Sequence, residues 1–325
     1  MTENKNRDWT SRKIVIVGAG AVGATFAYAM MMHGAGDEIV LIDVNRELAQ
    51  GQADDLSHGR SFTPPVQIRT GDKSDYADAH IIVMTAGASQ KPGETRLDLV
   101  GKNMKILKSV MADITEADSQ ALLIIVTNPV DILTYYALEI SGWDRSRIMG
   151  SGTVLDTARF RHMLSRHCGV DVKNVHAYIL GEHGDSEMAA WSMAHMAGLP
   201  MDDYCRMCGK CENWKEDRKE IVDRVRNSAY HIIDYKGATN FGIGLALTRI
   251  VGTILRNERS VLTVSTKLEG EYGIEGVALS VPCLVTSDGI DRVLIGELTD
   301  NELEQLRHSA DVLKKTYQDA EKPED

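Results

Sequence analysis

Four short runs in the first half of the chain are apolar, rich in β-branched residues and bounded by turn residues: Lys13–Val17, Glu38–Ile42, Ile81–Thr85 and Leu122–Val126. Runs of this length with little polar alternation predict strands buried on both faces, as in a parallel sheet. Between them lie stretches with helical spacing: Ala21–Met32, closed by Gly34, then Arg46–Leu56, Leu97–Ala117 and Asp131–Ser141. This alternation predicts a Rossmann-type, doubly wound α/β sheet over residues 1–150.

The rhythm changes beyond residue 150. A helix is predicted over Thr153–His167, then a strand over Val175–Leu180, then a glycine- and acid-rich turn. Helices follow at Asp217–Tyr235 and Ile243–Leu255, and strands at Val261–Lys267, Gly276–Val285 and Arg292–Gly296. Thr299-Asp300-Asn301-Glu302 has the form of a capping box, opening a helix with Leu303, Leu306, Ala310 and Leu313 on one face. Residues 151–325 thus read as a mixed α+β domain ending in a short frayed tail, Glu321–Asp325.

With 36 basic against 47 acidic residues the net charge is −11, which works against nucleic acid or an anionic membrane as partner. An acidic protein that handles a small anion must build positive charge locally, so arginines near a pocket become informative. Ile14–Met32 carries no charge, but Gly18, Gly20 and Gly23 divide it, and a glycine turn in lipid would leave backbone groups unpaired. The opening MTENKNRDWTSRK is polar and partly acidic, unlike a secretory n-region, so a cytoplasmic chain is expected. Five cysteines in such a context read as reduced thiols. Cys205, Cys208 and Cys211 have metal-like spacing, yet a fourth ligand is not apparent nearby. Cys283 or a histidine would have to supply it, and the plain expectation is a thiol-rich surface loop without metal.

Gly18-Ala19-Gly20-Ala21-Val22-Gly23 follows a strand and opens a helix. The first glycine permits a tight turn, the second lets backbone approach a pyrophosphate, and the third lets helix pack on strand. Asp43 ends the second predicted strand, where a carboxylate accepts hydrogen bonds from ribose hydroxyls and repels a 2′-phosphate. NAD is the expected cofactor. The plain alternative is a glycine turn that only packs, with Asp43 as a helix cap.

His183 stands between glycines in Gly181-Glu182-His183-Gly184-Asp185-Ser186, on a loop after a strand. Asp156 and Arg159 are three apart on a predicted helix, hence on one face. Reducing a 2-oxoacid needs a carboxylate clamp, a proton for the carbonyl oxygen and a hydride for the carbonyl carbon. Arginine clamps a carboxylate through two parallel N–H bonds, and an imidazole backed by an aspartate donates a proton near neutral pH. The plain alternatives are a structural histidine and an intrahelical surface ion pair worth under about 1 kcal/mol.

GAGAVG, Thr85-Ala86-Gly87, Gln90-Lys91-Pro92-Gly93-Glu94-Thr95-Arg96, Thr127-Asn128-Pro129, Leu155-Asp156-Thr157-Ala158-Arg159 and the His183 loop occur in this order. Together they resemble the lactate/malate dehydrogenase family from about Lys13 to Gln318. The resemblance implies His183 as acid–base group with Asp156 as its partner, and Arg159 on the substrate carboxylate. It places Arg96 on a mobile loop, polarising the carbonyl, and Asn128 beside the carbonyl and nicotinamide ribose. Thr239 would pack beside the substrate, and Ile243 would wall the nicotinamide. Gly18, Gly20, Val22, Gly23, Asp43, Thr85, Ala86 and Gly87 would contact the cofactor. The loop from Ala88 to about Val100 makes sense as a lid, hinged at Gly87 and Gly93.

Within that family the residue before Lys91-Pro92 separates substrates. Malate dehydrogenases carry arginine there; this chain has Gln90. A second carboxylate buried without a cation costs several kcal/mol, so pyruvate and L-lactate are expected rather than oxaloacetate and malate. Arg161 and His176 match residues that bind fructose 1,6-bisphosphate in allosterically activated bacterial members, which use the site across an interface of a homotetramer. A malate dehydrogenase, a broader 2-oxoacid reductase and a non-catalytic NAD-binding protein are the rival readings. The last would need Gly18, Gly20 and Asp43 but not His183 or Arg96.

Overall fold

The computed structural model describes residues 12–88, 95–209, 211 and 213–321. In the first half, β1 (Lys13–Val17), α1 (Ala21–His33), β2 (Glu38–Ile42), α2 (Arg46–His58), β3 (Gln67–Thr70) and β4 (Ile81–Met84) lead to α3 (Arg96–Glu116). Then come β5 (Leu122–Ile125), α4 (Val130–Ser141) and β6 (Ile148–Gly150). These six strands lie parallel in the order β6-β5-β4-β1-β2-β3, the doubly wound arrangement that the alternation predicted. Their side chains explain it: Ile14, Val15, Ile16, Ile81, Ile82, Val83, Leu123 and Ile124 are wholly buried, which only a sheet covered on both faces permits.

The second half opens with α5 (Val154–Cys168), followed by β7 (Val175–His176), β8 (Ile179–Leu180), β9 (Met188–Ala189), β10 (His195–Met196) and β11 (Leu199–Pro200). Next are α6 (Met201–Met207), α7 (Trp214–Lys236) and α8 (Phe241–Leu255), then β12 (Ser260–Leu262), β13 (Ser265–Glu269), β14 (Glu275–Ser280), β15 (Cys283–Thr286) and β16 (Gly289–Val293). The chain closes with α9 (Asp300–Glu321). Thr299 and Glu302 form the expected reciprocal cap: the Glu302 N–H donates to Thr299 Oγ1 and the Thr299 N–H to Glu302 Oε2, at 3.3 and 2.9 Å.

Several boundaries differ from the pattern reading. Val175–Leu180 is two strands in two sheets, because β7 pairs with β10 while β8 pairs with β9. Val261–Lys267 breaks into β12 and β13, and Gly276–Val285 breaks at Pro282, which cannot donate to a ladder. The third strand lies earlier than expected, at Gly289–Val293. Strands β3 and β6 escaped notice because QIRT is mostly polar and IMG is very short. The parallel sheet also continues past residue 150. β13 adds antiparallel to β6 and β14 to β13, so eight strands form one sheet built from both halves. Helix α8 packs on α1, where a side chain on Gly244 would meet Thr25 Cγ2 at 2.8 Å. Among the described residues no helix is long and apolar enough to cross a membrane.

Candidate active site

The order of the sheet reverses between β1 and β4, the place where open α/β sheets bind ligands at their carboxyl ends. Gly18 leaves β1 with φ +104°, and a Cβ there would lie 2.6 Å from the Ala86 backbone nitrogen. A Cβ on Gly23 would lie 1.9 Å from the Gly18 carbonyl oxygen, so that glycine is required for helix–strand contact. Gly20 differs: nothing stands within 4 Å of its Cβ position, leaving open space above the start of α1. No side chain caps that helix and no acid lies in its first turn, so its N–H groups and positive pole are available to an anion. Asp43 reaches back from the end of β2 and accepts from the Ala19 N–H at 2.7 Å. Asn45, not Asp43, caps α2 by accepting from the Leu48 N–H. Thr85 Oγ1 donates to the Val17 and Gly18 carbonyls, and Thr127 Oγ1 donates to Ala86 O at 2.7 Å, fixing the turn through Gly87. The cradle fits a dinucleotide pyrophosphate and its ribose.

Beside it, a cleft of about 340 Å³ is lined by Asn128, Asp156, Arg159 and His183, with Glu187, Arg226 and side chains of α7 closing it. His183 Nδ1 stands 2.6 Å from Asp156 Oδ2, and Arg159 Nη1 donates to Asp156 Oδ1 at 2.6 Å. Asp156 retains only 4% side-chain exposure while His183 keeps 27% and Arg159 14%, so the aspartate is sealed and its two partners face the opening. The ion pair is therefore part of a buried constellation and not a solvated surface contact. Because Nδ1 is engaged, Nε2 is the nitrogen left to face the cleft. The charge of Asp156, working against burial, raises His183 to about 9. Burial opposes ionisation of Asp156, but His183 and Arg159 together hold its carboxyl below the ordinary range. A protonated imidazole at neutral pH, aimed into a cleft beside a guanidinium, is equipped to give a proton to an anionic substrate.

Family models for the NAD binding domain and the alpha/beta C-terminal domain of lactate/malate dehydrogenases match residues 12–150 and 153–324. The chain belongs to the lactate/malate dehydrogenase family. Like that family it is an NAD-dependent oxidoreductase. It is 55% identical over 311 residues to L-lactate dehydrogenase of Treponema denticola, covering 95% of this chain and 98% of that protein. It is 50% identical over 309 residues to the L-lactate dehydrogenase of Acetivibrio thermocellus, covering 95% of this chain and 97% of that one. The crystal structure of minor L-lactate dehydrogenase from Enterococcus mundtii in the ligands-bound form superposes with a TM-score of 0.93. It has 43% identity, and the match covers 97% of this chain and all of that one.

Not every residue assigned by likeness to lactate/malate dehydrogenases falls in the cleft. Gln90 and part of the lid, residues 89–94, lie outside the described residues, as does the side chain of Arg96, whose backbone opens α3 behind the cap Thr95. Thr239 sits in the turn between α7 and α8 and does not line the cleft. Val22 and Ile243, on the facing helices α1 and α8, are half-buried against the core. Arg161 is not a solvated cation. Its Nε donates to the Ala177 carbonyl at 2.9 Å and its guanidinium covers the Tyr178 ring at 5.1 Å, whereas His176 is exposed on β7.

Pattern reading missed the residues that hold this family's histidine loop in place. Asp131, wholly buried in the first turn of α4, accepts from the His183 N–H at 2.7 Å and from Ser265 Oγ at 2.6 Å. Burial raises Asp131 to about 6 against those two hydrogen bonds. Ser309 Oγ in α9 accepts from the Glu182 N–H at 2.7 Å. Asn103 bridges the Ala88 N–H and the Asn128 carbonyl, at 2.8 and 2.7 Å. Glu187 enters the cleft with Oε1 buried and without a hydrogen-bond partner; burial first, then the charge of Asp156, hold its carboxyl well above the usual range. An acid at the head of an apolar helix, as in Val130-Asp131-Ile132-Leu133, was the one signal available, and it reads equally well as dipole complementation.

Proposed function

We propose that this chain is an L-lactate dehydrogenase, interconverting pyruvate and L-lactate with NADH and NAD+. The observation that carries the reading is the sealed Asp156 shared by His183 and Arg159 in one cleft beside the glycine turn. The names of the relatives support the substrate. Bound NADH supplies a hydride to the carbonyl carbon of the substrate. Arg159 clamps the carboxylate, the His183 Nε2 proton passes to the carbonyl oxygen, and Asp156 holds the ring and stabilises its charge. Arg96 polarises the carbonyl from the lid, Asn128 orients it, and Thr239 packs near it once the lid closes. Gly18, Gly20, Val22, Gly23, Asp43, Thr85, Ala86, Gly87 and Ile243 hold the cofactor. Residues 1–150 act as the dinucleotide domain and 151–325 as the substrate domain.

Gln90 selects a substrate with an uncharged third carbon, since a second carboxylate there would be desolvated without a cation. Fructose 1,6-bisphosphate is the proposed effector, taken up by Arg161 and His176 in a cytoplasmic homotetramer. Arg161 lines a cavity of about 500 Å³ with Lys173 and Arg249, which adds positive charge on its side of the proposed site, while His176 lies outside that lining. Steady-state kinetics with NADH test the assignment. The kcat/KM for pyruvate should exceed that for oxaloacetate at least tenfold, and an oxaloacetate preference would end it. Superimposable pyruvate saturation curves with and without the bisphosphate would remove the effector.

A further inference from the structure

The chemistry above makes no use of Cys205-Arg206-Met207-Cys208-Gly209-Lys210-Cys211. In sequence these thiols lacked a fourth partner, and the fold supplies one. Cys205 lies buried in α6, Cys208 follows its last turn, and Gly209 adopts the left-handed conformation (φ 66°) that reverses the chain. Cys211 is thereby returned to the other two. Its Sγ stands 3.2 Å from Cys208 Sγ and 3.3 Å from Nε2 of His167, in the last turn of α5, and it also hydrogen-bonds the Cys205 thiol. Asp217 Oδ2 approaches the same imidazole nitrogen to 3.7 Å.

We propose that Cys205, Cys208, Cys211 and His167 form a structural site for a thiophilic divalent cation of the zinc class. Three sulfurs and one imidazole would supply the four ligands of a tetrahedral site once rearranged around a cation, and a C-x-x-C turn followed by a left-handed glycine is suited to holding two of them on one side. The site is closed, with no position reserved for a substrate. Cys211 now stands in hydrogen-bond contact with the other two thiols and with His167, and among the described residues no group of three or more such side chains is arranged to hold a metal ion as it stands. In a tetrahedron with metal–sulfur bonds of about 2.3 Å, neighbouring sulfurs stand about 3.7 Å apart. Cation entry therefore displaces the three thiol protons to solvent and parts the Cys208 and Cys211 sulfurs by about half an ångström. The bound cation would tie the turn before α7 to the end of α5. Later turns of α7 carry Arg226, Ala229, Tyr230 and Ile233 along the catalytic cleft, so the site would brace that wall from its far end.

The test uses the full-length protein, purified with a reductant, stripped with a chelator and titrated with cobalt(II). About one cobalt per chain should bind with thiolate-to-metal charge-transfer absorption, and zinc should displace it. Cys208→Ser and Cys211→Ser should abolish the band, and His167→Ala should weaken binding at least tenfold. Cys283→Ser, in the separate strand β15, should leave both unchanged. Zinc should also raise the Tm of the parent protein and not that of Cys208→Ser, a readout that survives a poorly folding Cys211 variant. A parent protein without the band, a band that persists when Cys205, Cys208 and Cys211 are all replaced, or a Cys208–Cys211 disulfide in freshly reduced protein would each overturn the site.

Discussion

The glycine turn after β1 and the histidine cluster after β8 serve the same reaction by different constructions. The turn is a run of six residues, Gly18–Gly23, whose backbone does the work, and at Gly18 and Gly23 a side chain is sterically excluded. The cluster is assembled from α4, α5, the loop after β8, β13 and α9, with partners up to 134 residues apart, as for Asp131 and Ser265. A backbone-built site is legible as a short run of sequence, although the contacts that require its glycines come both from within the run, as Gly18 O beside Gly23, and from the end of β4, as Ala86 beside Gly18. A side-chain-built site depends on burial: Asp156 and Asp131 matter because the fold removes water from them, and nothing in their local sequence does so.

The two constructions should break differently. The largest effect is expected from His183→Asn, which removes the proton donor. Its kcat/KM for pyruvate should fall about 10³-fold, while NADH affinity by fluorescence titration stays within about twofold, since the turn is untouched.

Two glycine replacements separate packing from ligand approach within the turn. Gly23→Ala forces a Cβ to 1.9 Å from a backbone oxygen and should cost about 2–3 kcal/mol in urea unfolding. Gly20→Ala meets nothing within 4 Å, so its unfolding curve should match the parent while NADH binding weakens. Equal loss of stability in both would refute the division of labour.

The pH dependence probes the cluster alone. With His183 raised to about 9, pyruvate reduction should hold up to that pH and fall as pH rises through it, and lactate oxidation should gain over the same window. Asp156→Asn removes the main cause of the shift, and the limb should move down by about two pH units. The same proton contributes to folding below the ordinary imidazole value of 6.5, and that contribution disappears as pH rises through about 9. A limb that stays in place would mean that Asp156 does not set it.

The smallest expected effect belongs to Asp131→Asn, which weakens the hold on the His183 backbone. A drop of about tenfold in kcat/KM is expected, mainly in kcat, with the alkaline limb moved slightly downward. An unchanged limb and kcat would mark Asp131 as structural only.

Much of the first half was legible because its strands are buried on both faces and its turns are punctuated by glycine. The second half was read less well. Val175–Leu180 and Gly276–Val285 look continuous in sequence, but each feeds two sheets, a decision made by partners elsewhere in the chain. His183, Asp156 and Arg159 were legible through chemistry and resemblance. Asp131, Ser265, Ser309 and Asn103 were not, because each is an ordinary polar residue until a distant group requires it: a backbone group for Asp131, Ser309 and Asn103, the Asp131 carboxylate for Ser265.

By itself the sequence determined the parallel sheet, the phosphate turn and the residue types able to carry the reaction, since periodicity, glycine sterics and acid–base chemistry are local properties. Only the tertiary structure decided that Asp156 is sealed between its partners, that Asp131 anchors the loop, and that Cys211 meets His167. Those outcomes depend on which groups lose their water together, and exclusion of water is a property of the packed whole.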